Sequence, residues 1–294
     1  MIKSEWYNKN YKRLLIISAV VIIASIAYLW SFQNQQGDII YKDVSLTGGT
    51  TVTILDPLAD IDLVKSELSS QFPDLTIRGI SDFRTGKQTG FLLETKANVE
   101  EIRSALEEIL GYELTQDNSS VEFSGATLSQ GFYQQLRLAI LLAFFFMAIV
   151  VFLIFRTFVP STAVVISAFA DIAMTLVVVD LLGISLSTAG VVAFLLLIGY
   201  SVDTDILLTT RVLIKKEESI NRRIFGAFKT GIVMSLTSIL AVGVSLIIIY
   251  NSSDVLKQMF TILLIGLGFD IFNTWVTNAS IIKWYAEAKE NYRK

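Results

Sequence analysis

Six long apolar runs punctuate the 294-residue chain, at roughly 14–32, 136–155, 159–182, 186–209, 230–250 and 256–282. A helix rises about 1.5 Å per residue, so each run can cross a hydrocarbon core of about 30 Å. The pattern predicts six transmembrane helices. Between the first two lies the only large polar block, 33–130, and its periodicity changes repeatedly. DVSLTGGTTVTIL alternates as a strand does, ADIDLVKSELSSQF turns helical, and DLTIRGI and TGFLLET return to short strand-like runs. A second amphipathic helix, NVEEIRSALEEIL, leads to a last strand, SSVEFSG. The order β-α-β-β-α-β is the split-βαβ, ferredoxin-like pattern. The expected fold is thus an α-helical membrane protein: a six-transmembrane-helix bundle with one exterior α+β ferredoxin-like domain. Its divisions are 1–13 (N-terminal segment), 14–32 (first helix), 33–133 (exterior domain), 134–283 (helices two to six) and 284–294 (tail).

Charge orients this arrangement. Lys3, Lys9, Lys12 and Arg13 precede the first run and Arg156 follows the second. Arg211, Lys215, Lys216, Arg222, Arg223 and Lys229 lie between the fourth and fifth, and Lys283, Lys289, Arg293 and Lys294 end the chain. With alternating helices all of these share one side, which the positive-inside rule makes cytoplasmic. The expectation is a plasma-membrane protein with both termini inside. Lys257, near the opposite face, is expected to snorkel outward. The first run could also be read as a signal peptide, but no small-residue cleavage site ends it and Tyr28, Leu29 and Trp30 resemble an interfacial belt, so a retained anchor is expected.

Cysteine and histidine are both absent. That excludes disulfides, thiolate nucleophiles, Cys/His metal sites and imidazole proton shuttles. No nucleotide motif occurs, no cofactor is expected, and the chain does not read as an enzyme. Residues 38–122 hold 16 acidic and 7 basic side chains, which disfavours nucleic acid as a ligand. LTGGTTV lacks the lysine and spacing of a phosphate loop; Gly48 and Gly49 instead suit a tight backbone at a strand start. GLGFD is superficially similar to intramembrane aspartyl proteases, but an extra residue breaks that pattern.

The chemistry left is carboxylate chemistry inside the membrane. The stretch LLLIGYSVDTDILLTTRV, residues 195–212, carries Asp203 and Asp205 near its middle. A charged carboxylate at a helix centre costs about 2.5–3.5 kcal/mol. Asp171 lies 11 residues past Pro160, Asp203 eight before Arg211 and Asp270 13 before Lys283, so three helices present acids at similar depth. Asp203 and Asp205 point about 200° apart on a helix and cannot serve one site. The relay expectation is placed on Asp203, with Asp205 facing elsewhere. Gly199, Tyr200, Ser201 and Thr204 offer close helix contact and hydroxyls. Thr175, Asn273 and Thr274 are candidate partners for Asp171 and Asp270, whose plainest role is hydrogen-bonded helix glue. Asp180, near the outer interface, is expected to be solvated.

These residues carry a resemblance. GYSVDTDILLTTRV, DVSLTGGTTVTI, ADIAMTL, TGIVMSLTSILA and GLGFDIFNTWVTNASI are together similar to motifs of the SecD/SecF family of protein-export membrane subunits, within the resistance-nodulation-division superfamily. The resemblance covers nearly the whole chain. It implies SecD as partner, association with the SecYEG translocon, exported unfolded polypeptides as clients, and ion flow, in bacterial relatives protons, through the intramembrane acids. Ala170 stands where bacterial relatives usually carry histidine, and Asp203-Thr204-Asp205 departs from their usual Asn-Asp; both features look archaeal. Two other readings stand beside it: a structural assembly subunit that conducts nothing, and half of a small-molecule exporter, for which the single exterior domain is small. The links 33–43 and 124–133 would permit the domain to swing.

Overall fold

The computed structural model describes residues 2–81, 85, 87–214, 219–250 and 254–291. Lys215, Lys216, Arg293 and Lys294, used above to orient the chain, lie outside these residues.

α1 (Ile2–Gln36) leads to a short helix α2 (Val44–Thr47), then β1 (Gly49–Ile54), α3 (Ile61–Leu68), β2 (Thr76–Ser81), β3 (Gln88–Thr95), α4 (Val99–Leu110) and β4 (Ser119–Ser124). The sheet is antiparallel, in the order β2-β3-β1-β4. Non-consecutive strands β1 and β3 lie side by side at its centre, as the ferredoxin-like pattern requires. Alternation along β1 and β3 sends Val52, Ile54, Phe91 and Leu93 to one face, where Val64, Leu68, Ile102 and Leu106 of the two helices bury them. Burying each such side chain is worth about 1.5–3 kcal/mol. Asp60 and Asn98 cap the helices by accepting from backbone N–H groups of the first turn, and Gly111 ends α4 in the left-handed region.

DVSLTGG is less regular than its alternation suggests. Asp43 caps the single turn α2, and only then does the strand begin. Gly48 and Gly49 have φ of +85° and +144°, and a Cβ on Gly49 would lie 2.3 Å from the Thr95 carbonyl oxygen. Only glycine makes this exit from helix to strand without strain.

The bundle continues with α5 (Ala126–Phe155), α6 (Phe158–Leu181), α7 (Thr188–Ile214), α8 (Ile220–Ile249), α9 (Asp254–Phe272), a π-helical stretch (Asn273–Asn278) and α10 (Ala279–Asn291). Among the described residues six helical spans are long and apolar enough to cross a membrane. α6 and α7 form the centre, while α1, α5 and α8 turn Ile16, Val20, Leu141, Phe145, Leu240 and Ile247 outward. Such faces suit a lipid solvent. At the sheet end of the bundle Lys257 places its Nζ 4.3 Å from the Tyr250 ring centre.

The link that enters the sheet domain is tied to the helix ends. Lys42 pairs with Leu186 as a parallel bridge, the Leu186 N–H donates to the Tyr41 carbonyl at 2.6 Å, and the Asp43 N–H donates to the Leu186 carbonyl at 3.1 Å. Gln258 of α9 holds the same loop, donating to the Ser185 carbonyl and accepting from the Ser187 N–H. Asp38 pairs with Lys42 at 2.9 Å and accepts from the Tyr133 hydroxyl at 3.0 Å. Asp180 lies beneath this seam. It is buried, not solvated, with its carboxyl against the Tyr41 backbone.

Candidate functional site

Three carboxylates meet inside the bundle: Asp171 of α6, Asp205 of α7 and Asp270 of α9, each no more than 1% exposed. Asp171 Oδ1 accepts from Asn273 Nδ2 at 2.7 Å and its Oδ2 from Ser201 Oγ at 2.5 Å. Asp270 Oδ1 accepts from Thr204 at 3.1 Å and Thr274 at 3.2 Å, and Ser235 of α8 reaches its Oδ2 at 3.5 Å. Asp205 Oδ1 accepts from Asn278 Nδ2 at 2.8 Å and weakly from Ser167 at 3.4 Å, whereas its Oδ2 has no partner.

Local structure explains the convergence. Thr204 is three residues beyond Ser201, so both hydroxyls leave one face of α7, the first toward Asp270 and the second toward Asp171. Asn273 and Asn278 are five apart and would point about 140° from each other on an α-helix. The π-helical stretch widens the turn and brings Asn273, Thr274, Thr277 and Asn278 all inside. Close approach of α7 and α9 depends on Gly266, where a Cβ would meet Leu197 at 2.4 Å.

Electrostatically the layer holds acids and no base. The charge of Asp270 acts on both Asp171 and Asp205. Among the described residues no lysine or arginine pairs with any of the three. A proton or another cation relieves the energy of such a layer, since each bare charge costs about 2.5–3.5 kcal/mol at this depth. Among the described residues no three or more His, Cys, Asp or Glu side chains converge as a metal site.

Comparison with known proteins places this geometry. Residues 105–288 match the C-terminal family model of the protein-export membrane proteins SecD/SecF. The SecF of Methanocaldococcus jannaschii is 37% identical over 286 residues, covering 94% of this chain and 96% of the relative. The SecF of Methanolacinia petrolearia is 34% identical and covers 94% of each. The chain belongs to the SecD/SecF family. Its curated SecF relatives are archaeal, as the DTD motif and Ala170 suggested. The fold matches the crystal structure of SecDF, a translocon-associated membrane protein from Thermus thermophilus, with a TM-score of 0.72 at 18% identity. The match covers 94% of this chain but 38% of that one, so the solved SecDF is a much longer protein.

Within this SecD/SecF-family bundle Asp203 and Asp205 part as expected, but in the reverse sense. Asp205 faces the layer, and Asp203 faces out, into a cleft of about 360 Å³ that Tyr200, Thr204, Ser235, Ser238 and Asp270 also line. Helix rotation decides this: Ser201, Thr204, Asp205 and Leu208 form the buried stripe of α7, and Asp203 lies off it. Gly199 and Tyr200 also point outward. A Cβ at Gly199 would meet nothing within 4 Å, so the close contact falls at Gly266 instead. Thr175 turns back to its own Asp171 carbonyl, while Asn273 and Thr274 reach the carboxylates.

Four participants escaped the sequence reading: Ser167, Ser235, Thr277 and Asn278. Lys283, counted above among the basic residues that end the chain, is fully buried; it donates to Asn221 Oδ1 at 2.8 Å and lies 4.6 Å from the Tyr11 ring centre. The one available signal was spacing, since Asp270, Asn273, Thr274, Thr277, Asn278 and Ser280 form a polar run inside an apolar segment.

Proposed function

We propose that this chain is an accessory subunit of the Sec machinery that acts with SecD to promote export of unfolded polypeptides through SecYEG, using ion flow across the Asp171–Asp205–Asp270 layer. The observation that carries the reading is the layer itself: three buried carboxylates from three helices, bridged by Ser201, Thr204, Asn273 and Asn278 and paired with no cation among the described residues. A purely structural core has no need of repeated negative charge without a counter-ion. The protein is placed in the plasma membrane with its basic end and both termini in the cytoplasm and the sheet domain outside. SecD covers the face of α7 and α8 that carries Asp203 and Tyr200, because an acid turned outward at membrane depth needs a polar or cationic neighbour.

One observation favours a second reading, in which the chain only assembles and stabilises SecD and the translocon. Both oxygens of Asp171 and of Asp270 are satisfied, as structural hydrogen-bonding groups would be. Asp205→Asn, expressed in cells lacking the native subunit, separates the two. Shape and hydrogen bonding persist while the titratable group is lost. The relay reading expects loss of reporter export with normal recovery of the SecD complex; normal export at normal subunit levels sinks it. Yield of the chain from SecD-deficient membranes should fall, and an undiminished, active yield there removes SecD as partner.

A further inference from the structure

α9 has a second working face. Gly268 and Asp270 are two residues apart and so about 200° around the helix from each other. The face that carries Gly268 borders an apolar groove of about 550 Å³, lined by Leu264, Gly268 and Phe272 of α9, Met174 and Val178 of α6, and Val21 of α1. All six residues lie within spans of membrane length. The four-residue spacing of Leu264, Gly268 and Phe272 makes them one stripe. Gly268 is exposed, and a Cβ there would meet nothing within 4 Å, so the stripe is open at its middle. α1 is fastened on either side of Val21: Ser18 bonds Thr277, and Phe32 packs edge-on against Tyr41 with ring centres 4.9 Å apart. The gap between these fastenings is built into the helix packing.

Length and charge decide what fills it. Leu264 to Phe272 is about 12 Å of helix rise, whereas a partner transmembrane helix needs a groove along the whole core of about 30 Å. Lys257 lies seven residues, two turns, before Leu264, so it heads the same stripe at the sheet end, with its Nζ beside the Tyr250 ring. Thr261, between them, donates to the Lys257 carbonyl, which leaves the stripe below the lysine without an unmet polar group. From Lys257 to Phe272 the rise is about 22 Å, one leaflet of a bilayer about 40–45 Å thick with its headgroups. We propose that the groove between α1, α6 and α9 binds one glycerophospholipid, its hydrocarbon chain along Leu264–Phe272 and its phosphate at Lys257. The loops at this end, 183–187 and 251–255, hold no lysine or arginine, so the phosphate contact falls to Lys257. The outward faces of α5 and α8 touch a lipid chain on one side only; here three helices surround it, as a concave site does. This binding rests on the bilayer setting alone and stands apart from the relay reading.

The test uses the purified full-length chain in dodecyl maltoside micelles with a trace of phosphatidylglycerol that carries a diazirine near one chain end. After irradiation the crosslinked peptides are mapped by mass spectrometry. Label should concentrate on the peptide holding Leu264–Phe272 and be displaced by excess unlabelled phosphatidylglycerol. The same tails on a galactosyl diacylglycerol, which lacks phosphate, should label it about fivefold less, the worth of one lysine beside a lipid charge. Lys257→Gln should bring the two lipids to the same level. Gly268→Leu fills the groove and should remove this label for both lipids, while label on the outward face of α5 at Leu141 and Phe145 stays unchanged. Gly268→Ala, a smaller filling, should remove part of it, and both variants should melt close to the parent because the added atoms enter open space. Label spread over α1, α5, α8 and α9 in proportion to exposure overturns the proposal, since the groove then holds only bulk lipid or detergent. Groove label indifferent to phosphate and to Lys257→Gln overturns it too. Loss of the groove label in the complex co-purified with SecD also overturns it and assigns the groove to a protein contact.

Discussion

Asn273 is the side chain whose removal the geometry converts most directly into a number. Its Nδ2 donates to Asp171 at 2.7 Å and its Oδ1 accepts from Thr277 at 3.0 Å; Thr277 in turn meets Ser18 of α1. Asn273→Leu keeps the number of side-chain heavy atoms but orphans an oxygen of Asp171 and leaves the Thr277 hydroxyl with Ser18 alone, all in residues no more than 2% exposed. Interhelical hydrogen bonds in membranes are worth only about 0.6 kcal/mol on average, because the unfolded chain in the bilayer finds other partners. An orphaned buried group costs more, about 1–3 kcal/mol. One orphan, a carboxylate oxygen in a layer of acids, places the expected loss at about 1–3 kcal/mol, with the desolvated carboxyl deciding it. The companion variant is the double replacement Asn273→Leu with Asp171→Leu. Removing both partners with similar volume is close to neutral, so the double variant should recover at least half the loss. The assay is equilibrium unfolding in mixed micelles, with all three variants compared as a double-mutant cycle. A single variant within about 0.5 kcal/mol of the parent, or a cycle that is simply additive, refutes the view that this hydrogen bond neutralises a buried cost.

Residues 38–125, expressed alone, should be soluble and melt cooperatively by circular dichroism, because the core around Val52, Phe91 and Leu106 is complete within them; a molten fragment would contradict this. In that fragment Gly49→Ala should cost more than about 2 kcal/mol by denaturant titration, since its Cβ meets the Thr95 carbonyl at 2.3 Å with φ at +144°. Burial pushes the Asp38 carboxyl up, but hydrogen bonds from Lys42, the Ile39 N–H and Tyr133 outweigh it and hold it below the usual carboxylate range. Its contribution to the seam is thus fully present above the unfolded value of about 3.9 and lost as pH falls through the lower folded value. Hydrogen exchange at the Leu186 amide should speed up below that point, and Asp38→Asn should flatten the pH response.

The sheet and the spans were legible because their signals repeat: period two in TGFLLET, period 3.6 in NVEEIRSALEEIL, and apolar runs of membrane length. Partners close in sequence were legible too, as Thr274 lies one turn from Asp270. What failed was anything set by the rotation of one helix against its neighbours. Asp203 and Asp205 are chemically equal in the sequence, and only packing of the Ser201–Thr204–Asp205–Leu208 stripe selects the inner one. Asn278 reaches Asp205 from 73 positions away, through a turn whose widening leaves no clear mark in NTWVTN. The seam at Leu186 was hidden for a related reason. A single strand-like bridge has no periodicity to read, so a pinned link looks like a loose one.

That seam has a mechanical meaning. The strap at Tyr41–Asp43 is stitched to the loop joining α6 and α7, the two helices that carry Asp171 and Asp205, and Gln258 ties in the helix that carries Asp270. The sheet domain is therefore in direct contact, through backbone and one glutamine, with the ends of all three acid-bearing helices. Under the proposed relay, stiffness at this joint, not looseness, would be what passes a small rearrangement among the carboxylates on to the sheet domain.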